Sequence, residues 1–308
     1  MLFRSAAFHG GIDDVLLTGL VVAIADWRRR HGGASGGQGV RDQGGLDQGA
    51  VSTGVLLDLE GHGREEAFGR EEAFGREEAF GREDEIGSAD LSRTVGWFTS
   101  LYPVRLDAGR LDLEDALSGG ASLGRALKTI KEQLRAVPGK GLGYGLLRYG
   151  NAETAAALSG FAAPQIAFNY LGRFGRLAAK AGVNQTGVQQ TGADWELAEE
   201  ELRLGGGDDA MPLAHCIEIN AVTLDGASGS VLRAHWSWAK ALLTAEAVED
   251  LARSWFRALE ALVRHGLQVG SGGRSPSDLP LVELTQAEIE RLEVAHRQIE
   301  DELPLSPL

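Results

Sequence analysis

Cysteine is almost absent: Cys216 is the only one in 308 residues. An internal disulfide and any metal site built from several thiolates are thereby excluded, and a cytoplasmic location is expected. Positive charge is also in deficit, with 30 Lys and Arg against 44 Asp and Glu and a net charge of −14. Such a chain is repelled by phosphate backbones and anionic lipid, so neither nucleic acid nor membrane is expected as a partner. Long apolar runs are missing too. The longest, 15–25, is interrupted by Thr18-Gly19 and is too short to span a bilayer. The opening Met1-Leu-Phe-Arg-Ser runs into Ala6-Ala7-Phe8-His9-Gly10-Gly11 instead of an apolar core, which argues against a signal peptide. What the chain does have is 43% hydrophobic residues and a length that suits one large domain or two smaller ones around a buried core.

Periodicity and punctuation place the elements. Asp13-Asp14 open a helix through Leu16, Leu20, Ile24 and Trp27 that ends in Arg28-Arg29-Arg30, a charge order that suits the helix dipole, and Gly32-Gly33 stop it. Residues 33–50 are rich in Gly and Gln and predict a surface loop. Strands are expected at 51–59, 94–106, 166–171, 217–224 and 230–238, and amphipathic helices at 113–137 and 244–265. Mixed strands and helices indicate an α/β or α+β layered fold. Residues 270–278 read as a Gly/Ser/Pro linker, followed by a short charged helix at 285–299 outside the main body.

Residues 65–82 carry Glu-Glu-Ala-Phe-Gly-Arg three times in tandem, with Phe68, Phe74 and Phe80 six residues apart. Six residues turn a helix by about 600°, so the Phe side chains fall on different faces, and each Gly costs about 1 kcal/mol. A solvated loop expanded by duplication is expected, with no function.

Chemistry concentrates in residues 58–65, Asp-Leu-Glu-Gly-His-Gly-Arg-Glu. A carboxylate, an imidazole and a guanidinium separated by two glycines, directly after an apolar stretch, predict a strand ending in a tight polar turn that displays working side chains. Other candidates are weaker. In 138–145 Lys140 is followed by Gly141 where a phosphate loop would place Ser or Thr, so a turn is the better reading. His215 and Cys216 have no spaced partners for a metal and read as a structural pair, and Asp208-Asp209 as a solvated loop.

Glu60-Gly-His-Gly-Arg64, Thr94-Val-Gly-Trp-Phe-Thr-Ser-Leu-Tyr-Pro-Val104, Pro138-Gly-Lys-Gly-Leu-Gly-Tyr-Gly145 and Phe168-Asn-Tyr-Leu-Gly172 resemble, in this order and spacing, the later core motifs of epimerization domains of non-ribosomal peptide synthetases. Asp13-Asp-Val-Leu-Leu-Thr-Gly-Leu20 fits the helix that starts the second half of such domains. The tail segments Pro276-Ser-Asp-Leu-Pro280, Leu284-Thr-Gln-Ala-Glu-Ile-Glu290 and Leu303-Pro-Leu-Ser-Pro-Leu308 resemble the linker after one and the start of a following condensation domain. The resemblance implies an α/β fold, a chloramphenicol acetyltransferase-like two-layer sandwich, of which this chain is the C-terminal lobe with a mixed sheet and flanking helices. Residues 1–268 are then the lobe, with 33–50 and 65–82 as loop and insertion, and 269–308 the inter-domain linker and the beginning of the next domain.

The implied activity is inversion of Cα in an aminoacyl or peptidyl thioester. A peptidyl carrier domain presents that substrate on a phosphopantetheine arm, and no cofactor is bound directly. Adenylation and condensation domains would be neighbours in the parent synthetase. Such chemistry needs groups that remove and return a proton on opposite faces of Cα, and stabilisation of the charge on the thioester oxygen. By resemblance Glu60 is the acid/base, Arg64 the arginine of the same motif, and Asn169 and Tyr170 the pair lining the site. His62 reads as structural, and Trp97, Phe98 and Tyr102 as packing residues.

The family's first half carries a paired-histidine motif that supplies the other catalytic group, and none of the seven histidines here has a histidine neighbour. The isolated chain is therefore expected not to epimerize. Met1-Leu-Phe-Arg-Ser does not resemble family sequence, which is the expectation for a truncated reading frame. Two other readings stay open: a condensation domain that joins two carrier-bound substrates, and a non-catalytic module that only docks a carrier.

Overall fold

The computed structural model describes residues 8–31, 53–62, 95–175, 212–226 and 229–296. The expected loop at 33–50, the repeat at 65–82, Arg64 and Asp208-Asp209 lie outside these residues. The described elements are α1 (Ile12–His31), β1 (Val55–His62), β2 (Thr99–Leu106), α2 (Leu113–Ser118) and α3 (Ala121–Arg135). A 3-10 turn (Pro138–Gly141), a π turn (Leu146–Gly150) and α4 (Ala152–Ser159) follow, then β3 (Ile166–Gly175), β4 (Ile217–Gly226), β5 (Gly229–Trp238) and α5 (Ala245–Gly266). A second 3-10 turn (Pro276–Asp278) leads to α6 (Gln286–Ala295).

The five strands form one mixed sheet in the order β2-β1-β3-β4-β5, with β1, β3 and β4 parallel and both edge strands antiparallel. Alternation along each strand assigns its faces. Val55, Leu57 and Leu59 of β1, Phe168 of β3 and Ile217, Ile219 and Ala221 of β4 are buried against the helices. Leu56, Asp58 and Glu60 take the other face. Among the described residues one helix layer covers one sheet face, the two-layer arrangement that the family resemblance implies.

α1 is buried on nearly every side, from Val15 to Asp26, because α5 crosses it closely. A Cβ at Gly19 would stand 2.7 Å from Leu259 Cδ2, so the glycine lets the two helices approach without displacing that side chain. Trp255 of α5 is fully buried and donates its indole N–H to the Leu16 carbonyl at 3.0 Å. The polar end of the pair is held by Asp26, 2% exposed, which accepts from Arg29 at 2.9 Å and Arg30 at 3.0 Å. Arg30 also reaches Asp250 at 2.6 Å. Among the described residues no helix is long and apolar enough to cross a membrane.

Several boundaries differ from the sequence reading. The helix expected over 113–137 is two helices, since Gly119 adopts φ +92° and Asp115 folds its carboxylate back to accept from Ser122 N at 2.7 Å. That carboxylate leaves room only for glycine at 120. β2 begins at Thr99 rather than 94, and Trp97, expected to pack, is 90% exposed because residues 95–98 precede any strand pairing. Tyr102 does pack against the core. The C-terminal helix, expected outside the body, is docked on it.

At the far end of the sheet Arg173 of β3 donates to Asp225 of β4 at 2.6 Å, and the Ser230 hydroxyl of β5 donates to the other carboxyl oxygen. The Arg173 and Ser230 hydrogen bonds hold the Asp225 carboxyl below its ordinary value. A folded pKa below the unfolded one means the stabilisation is present above the unfolded value of about 4 and is lost as pH falls through the folded one. The Tm difference between wild type and Asp225→Asn is therefore expected at about pH 6 and should vanish toward about pH 2. A difference that does not narrow on acidification would refute this.

Candidate active site

β1 runs through Val55–His62, so Glu60 and Gly61 are strand residues and not the tight turn expected after residue 59. Pairing enforces this: Glu60 stands opposite Leu101 and Gly61 opposite Ser100 of β2. A strand fixes the side-chain direction more tightly than a turn does. Glu60 points to the helix-free face, where the β1–β3 register sets it beside Asn169. Asn169 Nδ2 donates to Glu60 Oε2 at 2.7 Å, a contact across 109 residues of sequence. Asn169 is 9% exposed, and its Oδ1 is a buried acceptor with no partner among the described residues. The carboxylate requires a donor facing it, so the amide must turn its oxygen the other way.

Tyr170, next in sequence, projects to the opposite face and donates its hydroxyl to Thr223 Oγ1 at 2.9 Å. The sheet thus brings Glu60 and Asn169 together and separates Tyr170 from them. Tyr170 and Glu60 both wall one cleft of about 800 Å3, whose other walls include Asp13 and Asp14 of α1, Arg135 at the end of α3, and Lys140. Asp14 is buried there, accepting from Gly11 N at 2.7 Å and from Arg135 Nη2 at 3.0 Å. Arg64 lies outside the described residues.

The 138–145 segment is the turn the sequence indicated. Gly139, Lys140 and Gly141 have φ of 52°, 49° and 80°, three successive residues in the left-handed region. For Lys140 that conformation costs about 1–2 kcal/mol. Tyr102 explains the glycine that follows: a Cβ at Gly141 would lie 2.1 Å from its ring. The turn lies over the β2 side of the cleft by this contact.

Sequence reasoning missed the row to which the pair belongs. Asn169 registers with Asn220 of β4, and Asn220 with His235 of β5, so polar residues run across four strands on the helix-free face. It also missed that His215 is joined to the 58–65 motif. His215 Nε2 lies 2.8 Å from Asp58 Oδ2, 157 residues away in sequence, and Nδ1 lies 3.4 Å from Glu218 Oε1. The structural reading of His215 thus gains named partners. Among the described residues no group of His, Cys, Asp and Glu is arranged to hold a metal ion. Among the described residues a neutral donor holds the Glu60 carboxylate and the Asn169 amide oxygen has no donor, so the pair can exchange a proton and receive an N–H or O–H.

A mixed five-stranded sheet with one helix layer is a lobe of the chloramphenicol acetyltransferase-like fold. The Condensation domain family model matches residues 68–276, more than half of the chain, and the chain belongs to the condensation-domain family. It is 37% identical over 304 residues to a linear gramicidin synthase protein of Brevibacillus parabrevis, covering 98% of this chain and 3% of that protein. It is 32% identical to a second protein of the same synthase, covering 98% of this chain and 5% of the relative. The crystal structure of the epimerization domain from the third module of tyrocidine synthetase B superposes with a TM-score of 0.53 at 28% identity, over 86% of this chain and 44% of that one. The chain therefore spans a few per cent of its curated relatives and less than half of the solved domain.

Proposed function

We propose that this chain is the C-terminal lobe of an epimerization domain in a non-ribosomal peptide synthetase, inverting Cα of an aminoacyl or peptidyl thioester. The observation that carries this is the Glu60–Asn169 hydrogen bond of 2.7 Å on the helix-free sheet face. Likeness to a solved epimerization domain at 28% identity supports the reading. A peptidyl carrier domain presents the substrate on its phosphopantetheine arm, with adenylation and condensation domains as neighbours. Glu60 takes or returns the Cα proton from one face. Asn169 orients that carboxylate through Nδ2, and its free Oδ1 accepts an N–H of the substrate or the arm. The Arg64 guanidinium adds positive charge to the same motif, and Tyr170 walls the cleft.

Inversion needs a second proton-transfer group on the opposite face of Cα, and no paired histidine is present among these 308 residues. The test is α-deuterium incorporation into a carrier-bound aminoacyl thioester in D2O. The chain alone is expected to give none, and a two-lobed protein containing it is expected to give exchange without amide formation. Amide formation without exchange would transfer the assignment to condensation.

A further inference from the structure

The segment after α5 has the composition of a free linker, yet it lies along one stripe of α3. Lys128, Lys131 and Glu132 sit three and four residues apart, which places them on a single helix face. All three engage this segment. Lys131, with its side chain 2% exposed, donates to both Asp278 oxygens at 2.5 and 2.7 Å and to the Phe8 carbonyl at 3.0 Å. Its three donors are thus all used. Glu132 accepts from Ser277 N at 3.2 Å and from Ser277 Oγ at 2.7 Å. Lys128 lies 3.8 Å from Glu293 of α6, whose other oxygen accepts from Arg274 N at 2.6 Å. Gly273, at φ +99°, lets these charges close up, since a Cβ there would meet the Glu293 carboxylate at 2.7 Å and Lys128 Nζ at 2.8 Å. Ser275, Leu279 and Ile289 are each 1% exposed.

A buried ion pair adds little net stability over an apolar contact, but it tolerates only one geometry, because a shifted partner leaves a charge buried alone. We propose that residues 273–296 are a docked stem, keyed to α3 by the Lys131–Asp278 pair. The stem fixes the direction in which the chain leaves the lobe, and by holding Lys131, which also donates to the Phe8 carbonyl, it braces the start of α1. That start bears Asp13 and Asp14 of the cleft. Residues that resemble a long tether thus contribute no slack between 273 and 296. This inference is independent of which reaction the domain performs.

Hydrogen exchange read by mass spectrometry on the 308-residue chain tests it, with Asp278→Asn and Ile289→Glu as variants. In wild type, α6 amides are expected to be protected, exchanging at least about 100-fold more slowly than an unstructured peptide. Either variant should raise their exchange by roughly 100-fold. Asp278→Asn should also raise exchange at residues 8–14, while β3 and β4 stay protected. Exchange of wild-type α6 at the unstructured rate, or no change in either variant, would overturn the stem. Unchanged exchange at 8–14 in Asp278→Asn would overturn the bracing of α1. Should Asp278→Asn unfold the whole chain, Ile289→Glu decides: release of 274–296 with the sheet protected supports a separable stem, and global loss of protection rejects it.

Discussion

Glu60→Gln, introduced into a two-lobed protein containing this chain, is expected to slow α-proton exchange by about 100- to 10,000-fold, the usual contribution of a general acid or base. Glutamine keeps the length of the side chain and an oxygen facing Asn169 Nδ2, so the 2.7 Å contact survives while proton exchange is lost. Glu60 is exposed, so stability should change by no more than about 0.5 kcal/mol. The measurement is deuterium incorporation together with Tm. Loss of activity with a lowered Tm would point to a folding defect, and unchanged exchange would remove Glu60 from the proton path. Asn169→Ala should fall between the two proteins in rate, because it leaves the carboxylate in place but unoriented.

Trp255→Ala is expected to be the most destabilising single change, at about 3–5 kcal/mol, with Tm lowered by roughly 5–15 °C. The indole is fully buried. It stands edge-on to Phe168 of β3 at 6.2 Å and to Trp236 of β5 at 5.9 Å between ring centres, and it is hydrogen-bonded to α1 at Leu16. One side chain therefore joins α1, α5 and the sheet. Phe256, adjacent in sequence but 38% exposed, is the control. Its replacement by Ala should cost less than half as much, and comparable losses from the two would show that the core is not organised around Trp255.

Legibility followed the range of each interaction. α1 and α5 were readable because caps, charges and apolar spacing are local, as were β3, β4 and β5 within a residue or a few of their ends. The break at Gly119-Gly120 was not, because it depends on the Asp115 carboxylate turning back onto Ser122 N. The extension of β1 through Glu60 was hidden because glycines read as a turn until β2 is paired alongside. Trp97 was misread because its aromatic character says nothing about whether a strand has yet begun. The stem was misread because Gly, Ser and Pro describe an isolated segment, whereas Lys131 supplies a partner from elsewhere.

By itself the sequence determined the kind of elements, the charge, the ordered motifs and through them the family resemblance, since each is written in residue types at fixed local spacing. Only the tertiary structure decided that Asn169 faces Glu60 while Tyr170 faces away, that His215 meets Asp58, and that the tail docks on α3. Those facts depend on strand register and on which surfaces meet, and period-2 alternation in a single strand carries neither.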